Sequence, residues 1–163
     1  MAHDTPSTLA TIVGARLKER GLKLATAESC TGGWVAEAVT AIAGSSDWFE
    51  RGFVTYSNEA KMEMLGVAAG TLAAHGAVSE ATAGEMAAGA LAHSRAQLAL
   101  SITGVAGPAG GTVEKPVGMV CFGWAGAGGQ VTVVTRNFSG DRESVRRQAV
   151  ICALQGVLER LEG

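Results

Sequence analysis

The chain has 163 residues, 47% hydrophobic and 17% charged, with a formal charge of -2; that length fits one domain of ordinary size, and that balance excludes a disordered chain. So small a charge gives no general field for nucleic acid or an anionic membrane, and no uninterrupted apolar run approaches the ~18 residues of a membrane span. Cys30, Cys121 and Cys152 are odd in number and follow no paired spacing, which argues against a disulfide framework or a zinc knuckle and points to a reducing compartment. Residues 1–6 carry no basic segment leading into an apolar one, so the protein is expected to be cytoplasmic.

Taken in chain order, residues 1–6 read as a loose tail and residues 7–163 as a single domain. Leu9, Ile12, Val13 and Leu17 recur at helical spacing, and Gly21 closes that helix. Leu22 to Ala27 reads as a short buried strand. It runs into Glu28-Ser29-Cys30-Thr31-Gly32-Gly33, and a helical stretch follows through about Ala43. Phe53 to Tyr56 is the next strand, after which Ser57 or Asn58 caps a helix over Glu59 to Leu65 that Gly66 stops. Ser79 caps a longer helix with Glu80 in its first turn and Met86, Ala90 and Leu91 on one face. Leu98 to Thr103 is a buried strand that ends in the glycine-rich loop Gly104 to Gly111. Val117 to Trp124 and Val131 to Phe138 flank Gly126 to Gln130 as a β-hairpin. Ser139 or Asp141 caps a last helix with Val150, Leu154, Val157, Leu158 and Leu161 on its apolar face. Strands alternating with helices, then a hairpin, predict an α/β fold: a mixed sheet covered on both faces. Its strand order is not legible at this level.

Glycine is the outlier, with 23 residues against a usual share of roughly 7%. Glycines cluster where loops follow strands, which is where α/β proteins hold ligands. In residues 28–33 a serine at a strand-to-helix turn can present its hydroxyl, with backbone N–H groups to receive an oxyanion or phosphate. The competing readings are that Ser29 or Thr31 is only a helix cap, and that Cys30 is the nucleophile. In residues 56–61, Lys61 falls in a helix's first turn. The dipole there disfavours its ammonium and favours the neutral amine that a general base requires. A Ser–Lys pair activates serine without histidine. The alternative is a solvated lysine. Tyr56 reads as a proton carrier, a stacking ring or strand core.

In residues 103–111, Thr103 ends its strand with a hydroxyl, and the glycine run, Gly104 and Gly107 included, offers donors to a phosphate or ribose; the loop lacks the ending of a P-loop. In residues 139–142, Arg142 sits against the helix dipole, as an arginine holding a phosphate or carboxylate would, or else pairs with Asp141 or Glu143. His3, His75 and His93 lack metal spacing. Trp34, Trp48 and Trp124 read as core or interface.

The run Thr26 to Gly33 resembles the hallmark of the CinA C-terminal domain family. The likeness continues through Val54 to Lys61, Gly76 to Ser79, Thr103 to Pro108, Lys115 to Gly118 and Gly140-Asp141-Arg142 with its basic helix, covering about residues 7 to 161. The enzymatic members of that family are nicotinamide-nucleotide amidases. The resemblance implies a stand-alone three-layer α/β/α sandwich with a mixed, mostly parallel sheet. It implies hydrolysis of the nicotinamide mononucleotide carboxamide to nicotinic acid mononucleotide and ammonia, in pyridine nucleotide recycling. Ser29 would be the nucleophile, Lys61 its base and Tyr56 an assistant. N–H groups of Thr31, Gly32 and Gly33 would hold the oxyanion, and Thr103, Gly104, Gly107 and Arg142 the rest of the substrate. No metal, cofactor, nucleic acid or membrane is implied, and a homo-oligomer stays open. The alternatives are a non-catalytic nucleotide-binding or competence-related regulatory module and an amidase for another small carboxamide.

Overall fold

The computed structural model describes residues 4–162. The tail expected over residues 1–6 lies partly outside them; within them, Thr5 already caps helix α1 (Pro6–Arg20) by accepting the Thr8 N–H, with Pro6 in the first helical position. Gly21, at φ 67°, ends the helix in the left-handed conformation that glycine adopts without strain. Strand β1 (Leu24–Glu28) is buried at every position, as a central strand must be. Then follow α2 (Trp34–Thr40), β2 (Phe49–Val54), α3 (Asn58–Leu65), α4 (Ala69–His75), α5 (Glu80–Ala92), β3 (Leu98–Gly104), β4 (Met119–Gly126), β5 (Val131–Asn137) and α6 (Arg142–Glu162).

The strand order is β2-β1-β3-β4-β5. β1 pairs in parallel with β2 and β3, whereas β4 pairs antiparallel with β3 and β5. Only β4 therefore runs against the other strands, and β4 and β5 form the expected late hairpin. One core lies between the sheet and the layer of α1, α2 and α6, built on Val13, Leu17, Phe122, Val150 and Leu154. A smaller one, with Leu65, Met86, Ala90 and Ala99, lies under α3 and α5 on the opposite face. The fold is a three-layer α/β/α sandwich with a mixed, mostly parallel sheet.

Two expected boundaries move. β2 starts at Phe49 and ends at Val54 rather than spanning Phe53 to Tyr56. It is an edge strand paired only with β1, so its exposure does not alternate, and Thr55 and Tyr56 have already left the sheet. The helix after the first turn stops at Thr40 rather than near Ala43. Helix α4 lies in a stretch with no periodic apolar residues, and none of its residues is buried.

α5 seats closely on the sheet. Ser101 Oγ donates to the Ala83 carbonyl at 2.6 Å, and a Cβ at Gly123 would run into that carbonyl and Ser101 Oγ. Gly123→Ala is therefore expected to cost about 1–3 kcal/mol, the usual range for overpacking, read as a lower urea midpoint with an unchanged slope. In register, Glu28 of β1 lies beside Val54 of β2 and Ile102 of β3. The three parallel strands thus end level, and the segments after them converge at one end of the sheet.

Candidate active site

The turn after β1 is gripped by Glu28. This carboxylate is 1% exposed; it accepts the Thr31 hydroxyl at 2.7 Å and the Val35 and Ala36 N–H groups at 2.9 and 3.0 Å. It does what the N-cap of α2, Gly33, cannot do without a side chain. Gly32 and Gly33 take φ of 59° and 107°, which lets the chain turn this tightly. Capping therefore needs neither Ser29 nor Thr31, and the Ser29 hydroxyl is left for another partner.

That partner is Lys61. Ser57 caps α3 by accepting the Ala60 N–H at 3.0 Å, which sets Lys61 on the inward side of the first turn. Its side chain is 1% exposed, so the solvated reading does not hold. Nζ lies 3.1 Å from Ser29 Oγ, 2.9 Å from the Thr55 carbonyl and 3.5 Å from the Tyr56 carbonyl. Among the described residues no carboxylate pairs with it, and burial lowers its pKa from the ordinary 10.5. A neutral amine has two N–H bonds and one lone pair. Directing both N–H bonds to the two carbonyls leaves the lone pair toward the Ser29 hydroxyl, the arrangement of a general base. Cys30 lines the same cavity, but burial pushes its thiol up to about 11, against the opposing charge of Arg146. At neutral pH it is a thiol and not a nucleophile.

The cavity beside this pair has a volume of about 310 Å³, at the lower end of the range for small-molecule sites. Ser29, Lys61, Tyr56, Thr103, Gly104, Gly107 and Arg142 all line it, from four separate segments. Thr103 donates to the Ala77 carbonyl at 2.8 Å, tying the end of β3 to the segment before α5. Asp141, not Ser139, caps α6 by accepting the Ser144 N–H at 2.9 Å. Arg142 then reaches across the mouth, donating to the Gly107 carbonyl at 2.7 Å and to the Tyr56 hydroxyl at 3.2 Å. It pairs with neither Asp141 nor Glu143.

Some expected site residues take other places. Thr31, Gly32 and Gly33 do not line the cavity, and the Gly32 N–H is committed to the Ser29 carbonyl at 3.0 Å. The Tyr56 ring is 63% exposed and tied to Arg142; what touches Lys61 is the Tyr56 backbone carbonyl. Two residues escaped sequence reasoning. Glu28 is one. The other is Arg146, one helical turn after Arg142, which donates from Nε to the Cys30 carbonyl at 3.0 Å and from Nη2 to the Thr31 carbonyl at 3.1 Å. Trp48 and Trp124 are buried, while Trp34 is half-buried beneath Arg146 and Arg147. His75 and His93 lie at helix ends, and His3 lies outside the described residues. Among the described residues, no three His, Cys, Asp or Glu side chains gather as a metal set, and no helix is long and apolar enough to cross a membrane.

The chain as a whole is similar to known proteins. A family model described as the CinA C-terminal domain matches residues 6–161. A protein of Escherichia coli (strain K12), nicotinamide-nucleotide amidohydrolase PncC, is 62% identical over 143 residues, covering 88% of this chain and 87% of that one. A protein of the same name from Enterobacter agglomerans is 55% identical over 158 residues, covering 97% and 96%. The crystal structure of competence/damage inducible protein CihA from Agrobacterium tumefaciens superposes with a TM-score of 0.92 at 46% identity, over 97% of this chain and 96% of that one.

Proposed function

Because the chain belongs to the CinA C-terminal domain family, we propose that it is an amidase that hydrolyses nicotinamide mononucleotide to nicotinic acid mononucleotide and ammonia. The names of the two relatives supply the substrate. The observation that carries the chemistry is the buried Lys61 Nζ, 3.1 Å from Ser29 Oγ, at a cavity wall.

Lys61 takes the hydroxyl proton of Ser29 as Oγ bonds to the carboxamide carbon, and the carbonyl electron pair moves onto oxygen. The oxyanion collapses, the C–N bond breaks, and the proton held by Lys61 goes to the departing nitrogen to give ammonia. Water then attacks the acyl ester. Lys61 accepts the water proton and returns it to Ser29 Oγ as the acid leaves. Thr103 and the Gly104–Gly107 backbone position the nucleotide, and Arg142 at the mouth meets the 5′-phosphate. Residues 7–163 act as one domain in this reading. Its cytoplasmic setting is supported by three free cysteines, and its role is pyridine nucleotide recycling.

The test is ammonia release by purified protein from the mononucleotide, the riboside and free nicotinamide. Turnover should be strongest on the mononucleotide. Binding without turnover would favour a regulatory nucleotide-binding module, and equal turnover of free nicotinamide would indicate an amidase of broader range. Arg142→Ala should raise KM for the mononucleotide about 10- to 100-fold, from loss of a charged hydrogen bond worth roughly 1.5–3 kcal/mol, and leave KM for the riboside nearly unchanged.

A further inference from the structure

We propose that the cavity at the far end of the sheet is a second ligand site, built for a small anion with a flat apolar body; the inference stands apart from the amidase reading above. This cavity has a volume of about 330 Å³. β3 runs from one cavity to the other: Leu98, its first residue, lines this one, whereas Thr103 and Gly104, its last two, line the cavity beside Ser29. Leu22, Leu98, Trp124 and Leu161 give its walls an apolar surface, and Arg20 and Arg160 add two cations. None of these residues takes part in the reaction derived above.

The walls are fixed before any ligand arrives. Gly156 lies inside α6, where glycine weakens a helix. A Cβ there would run into the Trp124 indole, so the glycine lets that ring lie against the helix. Trp124 Nε1 donates to the Ala153 carbonyl at 3.1 Å, and Phe122 stacks beside the ring with 5.9 Å between centroids. Arg160 lies over the indole, its guanidinium carbon 4.6 Å from the ring centroid, and donates from Nη1 to the Gly156 carbonyl at 3.1 Å.

Arg20 closes α1 and Arg160 falls in the last turn of α6, where a cation offsets the helix dipole. That field accounts for positive charge but leaves the hydrogen-bond donors unspent. Among the described residues no carboxylate pairs with either arginine; Glu162, at the end of α6, goes to Arg16 at 4.0 Å. Apart from the bond to Gly156, the N–H groups of both guanidiniums have no partner among the described residues. A guanidinium fork matches a carboxylate or phosphate head. Apolar walls favour a body that brings few polar groups to desolvate. A planar ring bearing one such head meets both demands, and little ordering is needed because Arg160 is already held in place.

The experiment titrates the full chain with benzoate, phenyl phosphate and benzamide, followed through the backbone amide resonances of the isotope-labelled protein. It compares wild type with Arg20→Met and Arg160→Met. Benzoate should shift the Leu98, Gly126 and Ala127 amides saturably, with a midpoint at or below roughly 5 mM for a ligand of its size. Benzamide, the same ring without the charge, should bind about tenfold more weakly or worse, as expected when charged hydrogen bonds are lost.

Arg160→Met should weaken benzoate by about tenfold or more on the same ground, and Arg20→Met should weaken it by a smaller factor, both with Tm unchanged. Phenyl phosphate settles the head group: the tighter binder of the two anions names it as carboxylate or phosphate. The proposal is overturned if the three amides do not shift, or if the shifts centre on Thr103 to Gly107 instead. It is equally overturned if benzamide binds as well as benzoate, or if neither arginine variant weakens benzoate. Should Arg160→Met not fold, Arg20→Met and Arg160→Lys, which keeps the charge without the flat fork, decide by the same comparison. The two readings fail separately: a protein that binds benzoate here but releases no ammonia from nicotinamide mononucleotide loses the substrate assignment and keeps this site.

Discussion

Ser29→Ala is expected to lower kcat for ammonia release from nicotinamide mononucleotide by about 10⁴-fold or more, with substrate affinity nearly unchanged. Losing the nucleophile of a covalent mechanism forfeits the whole acylation route and leaves only what binding and the turn's donors do for direct attack by water. The change removes one oxygen and leaves the Glu28 contacts with Thr31, Val35 and Ala36 intact, so the fold should hold. The check is a purified variant with a wild-type Tm, assayed by single turnover and by mass for an acyl adduct. Full activity in that variant would remove Ser29 from the mechanism. Cys30 would be no replacement, because its thiol is held at about 11.

Lys61→Met should lower kcat by about 10²–10⁴-fold, the span of general-base catalysis, and change KM little. Methionine nearly matches the length of the stem and carries no charge, so it suits a site that is 1% exposed. The pH profile gives the sharper reading. The amine works only when unprotonated, so wild-type kcat/KM should rise with pH and level off once Lys61 is neutral. Burial lowers the pKa from 10.5, which moves that rise toward neutrality. The variant should lose this limb. Because Ser29 and Lys61 act as a unit, the double variant should be scarcely worse than Ser29→Ala alone. An effect confined to KM would reassign Lys61 to substrate contact.

The central strands were legible because they are short, mostly apolar runs that lie between two helical layers: β1 and β3 fall within two residues of their expected limits. β2 was not, because an edge strand answers to one neighbour and its sequence Phe-Glu-Arg-Gly-Phe-Val need not alternate. α4 was not, because Ala-Gly-Thr-Leu-Ala-Ala-His only half-buries Leu72 against the smaller core and so shows no stripe. In the site, Ser29, Lys61, Thr103 and Arg142 were visible as side-chain chemistry at loops that follow strands, or at a helix start, and they line one cavity. What stayed hidden works through the backbone. Glu28 serves two amide groups and a hydroxyl of its own turn, and Arg146 serves carbonyls 116 and 115 positions away. No residue pattern marks a carbonyl as a partner. Tyr56 was read by its phenol, whereas its carbonyl is what meets Lys61.

The burial of Lys61 makes the serine's reactivity conditional. In an extended or half-made chain the amine is hydrated, keeps its ordinary pKa of 10.5 and carries its proton, so Ser29 there is an ordinary alcohol. Burial lowers that pKa only once α3 has docked on the sheet and closed over the side chain. A newly made chain is therefore born inert toward the acyl donors around it, and it arms itself in the same event that completes its tertiary structure.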